Sequence, residues 1–274
     1  MELSAESLVG YLRAEYAASG KWRIASFLVG LVVTLPAVAS VVTTEAIALY
    51  YLAAVNFFFL TFWVLINYQY GRKQSAAHAA RRAALIVNGL GEELSAGEKR
   101  RLLEKFTVPA DKARSAEKSD YYATEAEPGP AKLLECLEES AFYSSKLHRL
   151  SANAWLVIVA IYAMVFTGLA IFLIPSATSD FLMMSVRIFF AATVFIMSAD
   201  VFGSFLTHRR CATDTSEVLS RIEIAKQGDV RTADALLIME DYTSAIQSAP
   251  EIVPLIYRNQ ETNLNELWAS YLKG

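Results

Sequence analysis

Four apolar runs, each long enough to cross a bilayer as a helix, leave this chain few ways to fold. They are IASFLVGLVVTLPAVASVV (Ile24 to Val42), AIALYYLAAVNFFFLTFWVLI (Ala46 to Ile66), AWLVIVAIYAMVFTGLAIFLI (Ala154 to Ile174) and MMSVRIFFAATVFIMSADVFGSFL (Met183 to Leu206). A helix rises about 1.5 Å per residue, so each run matches the roughly 30 Å of a hydrocarbon core. Backbone polar groups cannot stay unpaired in hydrocarbon, and a helix pairs its own. With 54% hydrophobic and 19% charged residues, the composition also belongs to the membrane class. The expected fold is an all-α membrane protein. Four transmembrane helices form two hairpins, and the central insert and C-terminal tail form a helical cytoplasmic bundle.

Charge orients the spans. Of the 25 Lys and Arg residues, 14 lie between Tyr68 and Ala152, seven follow Thr207, and Arg13, Lys21 and Arg23 precede the first run. The short turns VTTE and PSATSDF contain no Lys or Arg and carry Glu45 and Asp180. The positive-inside rule then puts both turns outside and both termini and the insert in the cytoplasm. The resulting organisation is an N-terminal amphipathic segment (1–23), a first hairpin (24–67), a helical insert (68–152), a second hairpin (153–206) and a helical tail (207–274). The stretch Pro36-Ala-Val-Ala-Ser resembles a signal-peptidase site, but the polar lead before the apolar run is long for a signal peptide, so retention is expected.

The polar segments read as helices and loops. Good helix formers continue past the second run through GRKQSAAHAARRAALIVNGL to a break near Asn88, Gly89 and Gly91. Ser95 and Glu98 have the spacing of a capping box for a short helix. Val108 to Pro130 reads as loop, interrupted by the aromatic pair Tyr121 and Tyr122, candidate contacts for a ligand or partner. From Pro130 an amphipathic pattern, with Leu133, Leu134, Leu137, Ala141 and Leu147 on one side, runs into the third apolar run. Its last turns, Glu139, Tyr143, Lys146, His148 and Arg149, are candidate coupling or interface residues, because this helix joins the insert to a span. Further helical patterns occupy the tail, with Pro250 and Pro254 at a turn.

The chemistry-bearing residues point away from catalysis. Cys136 and Cys211 are far apart, and His78, His148 and His208 lack a second ligand at metal spacing, although His148 and His208 both lie just outside an apolar run. No phosphate-binding glycine loop or nucleophile elbow occurs. The expectation is a non-enzyme without metal or cofactor. Interspersed charges and a net charge of −3 also argue against a nucleic-acid polymer as partner. Polar residues within the spans are more informative, because a buried carboxylate in lipid costs at least a few kcal/mol without a partner or water. Asp200, Tyr162 and Asn56 are therefore candidates for an intramembrane polar path, some of them meeting one another. Arg187, near the outer end of the fourth run, is expected to snorkel or to pair with Glu45 or Asp180. Ser26, Gly30 and Thr34 form a small-residue run that permits close helix contact.

Several of these segments together resemble a known family. DYYAT (Asp120 to Thr124), AKLLECLEESAFYSSKLHRLSANAW (Ala131 to Trp155), APEIVPLIYR (Ala249 to Arg258) and LNELW (Leu264 to Trp268), in the order hairpin, insert, hairpin, tail, are distantly similar to the SMODS-associated four-transmembrane effectors. That resemblance implies a pore-forming effector of the bacterial inner membrane in a nucleotide-signalling antiphage system. It would act as a homo-oligomer in contact with membrane lipid, triggered by a nucleotide second messenger or a cytoplasmic sensor protein. The alternative is a constitutive four-span ion channel or small transporter, or a membrane scaffold or regulatory subunit.

Overall fold

In the computed structural model, which describes residues 3–43, 45–173, 178–196, 201–252 and 254–273, all regular structure is helical. The helices are α1 (Ala5–Val42), α2 (Ala46–Leu90), α3 (Ala96–Lys105), α4 (Ala110–Arg114), α5 (Pro130–Leu173), α6 (Ser179–Ile196), α7 (Phe202–Ala225), α8 (Thr232–Gln247) and α9 (Pro254–Tyr271). Three of them, α1, α2 and α5, contain stretches long and apolar enough to cross a membrane. The fourth run, Met183 to Leu206, is described only in part, as the C-terminal portion of α6 and the beginning of α7. The segment expected to be loop between Val108 and Pro130 is not wholly so. Pro109 opens the single short helix α4, in keeping with the preference for proline at helix starts.

The chain divides into two compact units. One comprises Met1–Lys21, Tyr70–Ser151 and Thr207–Gly274, the other Trp22–Gln69 and Ala152–Leu206.

The first unit is built on two apolar clusters. Leu85 of α2, Leu133, Leu134, Leu137 and Ala141 of α5, Val218 and Ile222 of α7, and Ile238, Met239, Tyr242 and Ile246 of α8 form one. The other joins Leu8, Val9, Tyr11 and Leu12 of α1 to Ala79, Ala80, Ala83 and Ala84 of α2, with Leu102 of α3 and Ala113 of α4. The alanines give α2 a face with no side-chain bulk, so α1 can lie close against it. Each fully buried leucine contributes roughly 1.5–3 kcal/mol by leaving water. Close approach also requires two glycines. A Cβ on Gly10 would fall 2.4 Å from the Ala113 carbonyl oxygen, and one on Gly89 would fall 2.7 Å from the Leu133 Cα. Gly91 ends α2 with φ at 71°, a left-handed conformation that glycine adopts without penalty.

Polar ties close the gaps between these helices. The buried Glu15 carboxylate accepts hydrogen bonds from the Thr107 and Val108 backbone N–H groups and from the Thr107 hydroxyl, fastening α1 to the segment that links α3 to α4. Ser95 caps α3, its hydroxyl accepting from the Glu98 N–H at 3.3 Å, which is one half of the expected box. Glu138 of α5 receives Lys226 at 2.7 Å and the Tyr271 hydroxyl at 3.1 Å, so α5, the end of α7 and α9 meet at one carboxylate.

The second unit reverses the arrangement. Phe57, Phe58, Ile47, Leu65, Val157 and Met164 point outwards, while hydroxyls and amides face neighbouring helices. Ser26 of α1 donates to Asn67 of α2 at 2.7 Å, and Gly30 lies against the Trp63 indole. Part of the small-residue run therefore serves contact within one chain; Thr34 instead donates to the Leu31 carbonyl one turn back.

Candidate functional site

Of the residues expected to form an intramembrane path, Tyr162 and Asn56 fall among the described residues. Tyr162 on α5 shares a 2.5 Å hydrogen bond with Thr193 of α6, whose hydroxyl also donates to the Phe189 carbonyl. Asn56 on α2 has its amide oxygen buried, with no hydrogen-bond partner among the described residues. Asp200 and the side chain of Arg187 lie outside the described residues.

The coupling candidates form a connected row along α5. Glu139 accepts from the Ala123 N–H at 2.9 Å, which fixes the segment leading from Tyr121 and Tyr122. Burial pushes the Glu139 carboxyl up, partly offset by that N–H and by Lys118. The Tyr143 hydroxyl donates to Asn265 of α9 at 2.8 Å, and the Lys146 ammonium sits 5.5 Å from the centre of the Phe142 ring. His148 meets His208 of α7, Nδ1 to Nδ1 at 2.8 Å, so two histidines far apart in sequence share one proton bridge. Burial first, then the neighbouring His208 and Arg81, pushes the His148 imidazole down to about 3, which keeps it neutral at ordinary pH. Arg149 is exposed. Between Glu139 and His148, α5 is thus tied to the 115–129 segment, α7 and α9. A further tie, Ser144 to the Tyr242 hydroxyl at 3.2 Å, reaches α8.

Tyr242 leads to a residue that inspection of the sequence passed over. Arg81 of α2 extends Nη1 towards the Tyr242 hydroxyl at 3.4 Å, and its guanidinium carbon stands 4.7 Å from the centre of the Tyr16 ring. Tyr121 and Tyr122 bear on the same charge, and their rings meet edge to face at 4.9 Å. Tyr122 packs on the α5–α7–α8 cluster and Tyr121 on the α1–α2 cluster, so the pair bridges the two cores. Burial opposes the Arg81 charge while the facing tyrosines favour it, and the guanidinium remains cationic. Burial likewise pushes the Tyr16, Tyr121 and Tyr122 phenols up, so all three keep their O–H.

His78, one turn before Arg81, completes the group. Its Nδ1 bonds the Tyr16 hydroxyl at 3.0 Å, while its Nε2 is buried with no hydrogen-bond partner among the described residues. Burial, with Arg81 and Lys105 nearby, pushes this imidazole down to about 3. The signal for Arg81 was weak because AAHAARRAAL reads as an exposed basic helix face. Only packing shows that the small residues around Arg81 let a tyrosine-lined wall form about it.

Among the described residues, no group of three or more His, Cys, Asp or Glu could hold a metal ion. Burial pushes both the Cys136 and Cys211 thiols up to about 12, so neither ionises readily. With Arg81 cationic and the facing phenols protonated, the group can meet an anion or transmit a contact between helices. No protein-family model matches the chain, and no curated protein or solved structure matches it at a significant level.

Proposed function

We propose that this chain is a four-span inner-membrane protein that assembles with copies of itself into a gated pore, or disrupts the bilayer, when its cytoplasmic helical unit receives a signal. The supporting observation is α5. One unbroken helix, Pro130–Leu173, carries the row of ties from Glu139 to His148 and then an apolar stretch with bilayer-spanning length. A movement of the insert has a stiff path into that stretch, because α-helices transmit displacement along their axis. The Lys and Arg distribution supports a cytoplasmic position for the helical unit, and the resemblance of the Ala131–Trp155 segment is the ground for proposing nucleotide-triggered antiphage defence as its context. The exposed apolar side chains of α1, α2 and α5 are the surface that lipid would cover.

Membrane potential in cells expressing the full chain at raised levels tests this reading. Depolarisation is expected, and it should disappear when Ser144-Ser145 is replaced by Gly-Gly in a protein that still inserts. Full potential in cells, together with no ion flux from liposomes, would leave a scaffold role. Steady flux at normal expression levels, unchanged by the Gly-Gly replacement, would mark a constitutive channel.

A further inference from the structure

We propose that Arg81, His78 and the surrounding tyrosines form a binding site for a small soluble phosphate ester bearing an aromatic ring, a nucleotide in the simplest case. The guanidinium is partly buried, yet among the described residues its polar contacts are one long hydrogen bond and one ring face, with no carboxylate at ion-pair distance. Removing a charge from water without pairing it is costly, and a guanidinium has five N–H donors to satisfy. What surrounds it offers donors: the Tyr121 and Tyr122 hydroxyls keep their protons, and when Tyr16 donates to His78 Nδ1 the neutral imidazole carries its N–H on the buried Nε2, which has no hydrogen-bond partner among the described residues. Glu139 is engaged by the Ala123 N–H, and Glu251 lies near enough to bear on Tyr16. A cluster with a cation, several donors and few acceptors is matched by a ligand that brings acceptors and negative charge. Phosphate offers three or more such oxygens, and the planar guanidinium fork fits two of them at once.

The aromatic part of the ligand follows from Tyr121 and Tyr122. Both rings are partly exposed and stand at the edge of the cluster in the irregular 115–129 segment, so a planar ring can stack on them. Arg81 lies 15 residues past Ile66 on α2, about 22 Å of helical rise beyond the apolar run, which is too far for a lipid headgroup. An occupant would touch α1, α2 and the 115–129 segment at once, and through Tyr242 and Ser144 it would reach α5. As a trigger for permeabilisation this inference rests on the function proposed above, so binding is measured separately from flux.

Equilibrium dialysis and thermal unfolding of the detergent-purified full chain, with adenosine 5′-monophosphate, ribose 5-phosphate, inorganic phosphate and adenosine as probes, provide the test. The monophosphate should bind saturably and raise the unfolding temperature, about tenfold more tightly than ribose 5-phosphate, with adenosine inert. Arg81→Met should abolish binding with helical content retained, and Arg81→Lys should weaken it about tenfold by losing the fork. If Arg81→Met fails to fold, Tyr121→Leu still decides, because it should bring the monophosphate and ribose 5-phosphate to equal affinity. No saturable binding of any phosphate up to about 10 mM, equal wild-type affinity for the two esters, or undiminished binding by Arg81→Lys would overturn the site. So would displacement of the monophosphate by short-chain phosphatidylglycerol at equal concentration. Flux that persists in a chain unable to bind would separate failure of this site from failure of the pore reading.

Discussion

Phe57 and Ile224 are almost equally exposed, at 72% and 68%, yet they belong to regions with opposite rules. Phe57 stands among outward-facing phenylalanines, leucines and valines in the unit formed by Trp22–Gln69 and Ala152–Leu206. Ile224 stands beside Glu223 and Lys226 on α7 in the other unit, where most apolar side chains are buried and charges face outwards. In the first region the polar side chains Ser26, Asn67, Tyr162 and Thr193 pair between helices, the arrangement that hydrocarbon surroundings would favour; in the second, polar side chains tie helices and cap ends. The comparison teaches that exposure has no fixed energetic meaning until the solvent is known.

The largest expected effect lies in the unit with the buried apolar clusters. Leu137→Ala removes a fully buried side chain between α5, α7 and α8 and should cost about 2–5 kcal/mol, measured by denaturant unfolding in detergent. Next, Phe57→Asp should lower membrane insertion by roughly 3 kcal/mol, whereas Ile224→Asp should stay within about 0.5 kcal/mol in the same insertion and melting assays. Equal effects at these two positions would break the comparison.

Gly89→Ala forces α2 and α5 apart at backbone Leu133 and should cost about 1–3 kcal/mol, read as a lower melting temperature. Acid sharpens the contrast further. His78 and His148 have folded values pushed to about 3, while an unfolded imidazole titrates near 6.5. Between those limits the unfolded chain binds more protons. Stability should therefore rise with pH through this window and be lost on acidification, by up to about 1.4 kcal/mol per pH unit for each histidine. Melting curves of wild type and His148→Asn should show the smaller slope in the variant. Last, Ser26→Ala removes one inter-helix hydrogen bond in the apolar unit and should cost only about 0.6 kcal/mol.

Much of the helical plan was legible because its signals are local. Pro130 opens α5, Gly91 closes α2, and Ser95 caps α3, each through a backbone preference acting within one turn. Helix α4 was missed because a five-residue helix has no room for a period. The candidate site was half legible. Tyr121 and Tyr122 stood out as aromatics in a polar loop, but Arg81, His78, Tyr16 and Tyr242 come from three other helices, and nothing in the order of residues pairs them. The contact of Tyr162 with Thr193 was illegible for the same reason: depth along a helix can be counted from sequence, whereas the facing helix cannot.

By itself the sequence determined that the chain is helical and where long apolar stretches lie, because hydrophobic run length and backbone hydrogen bonding are properties of one segment at a time. Only the tertiary structure decided that Ser26 and Gly30 face α2, that His148 meets His208, and that a partly buried arginine stands among tyrosines with no carboxylate at ion-pair distance among the described residues. Those outcomes depend on which side of each helix meets another, and that is set by packing across segments far apart in the chain.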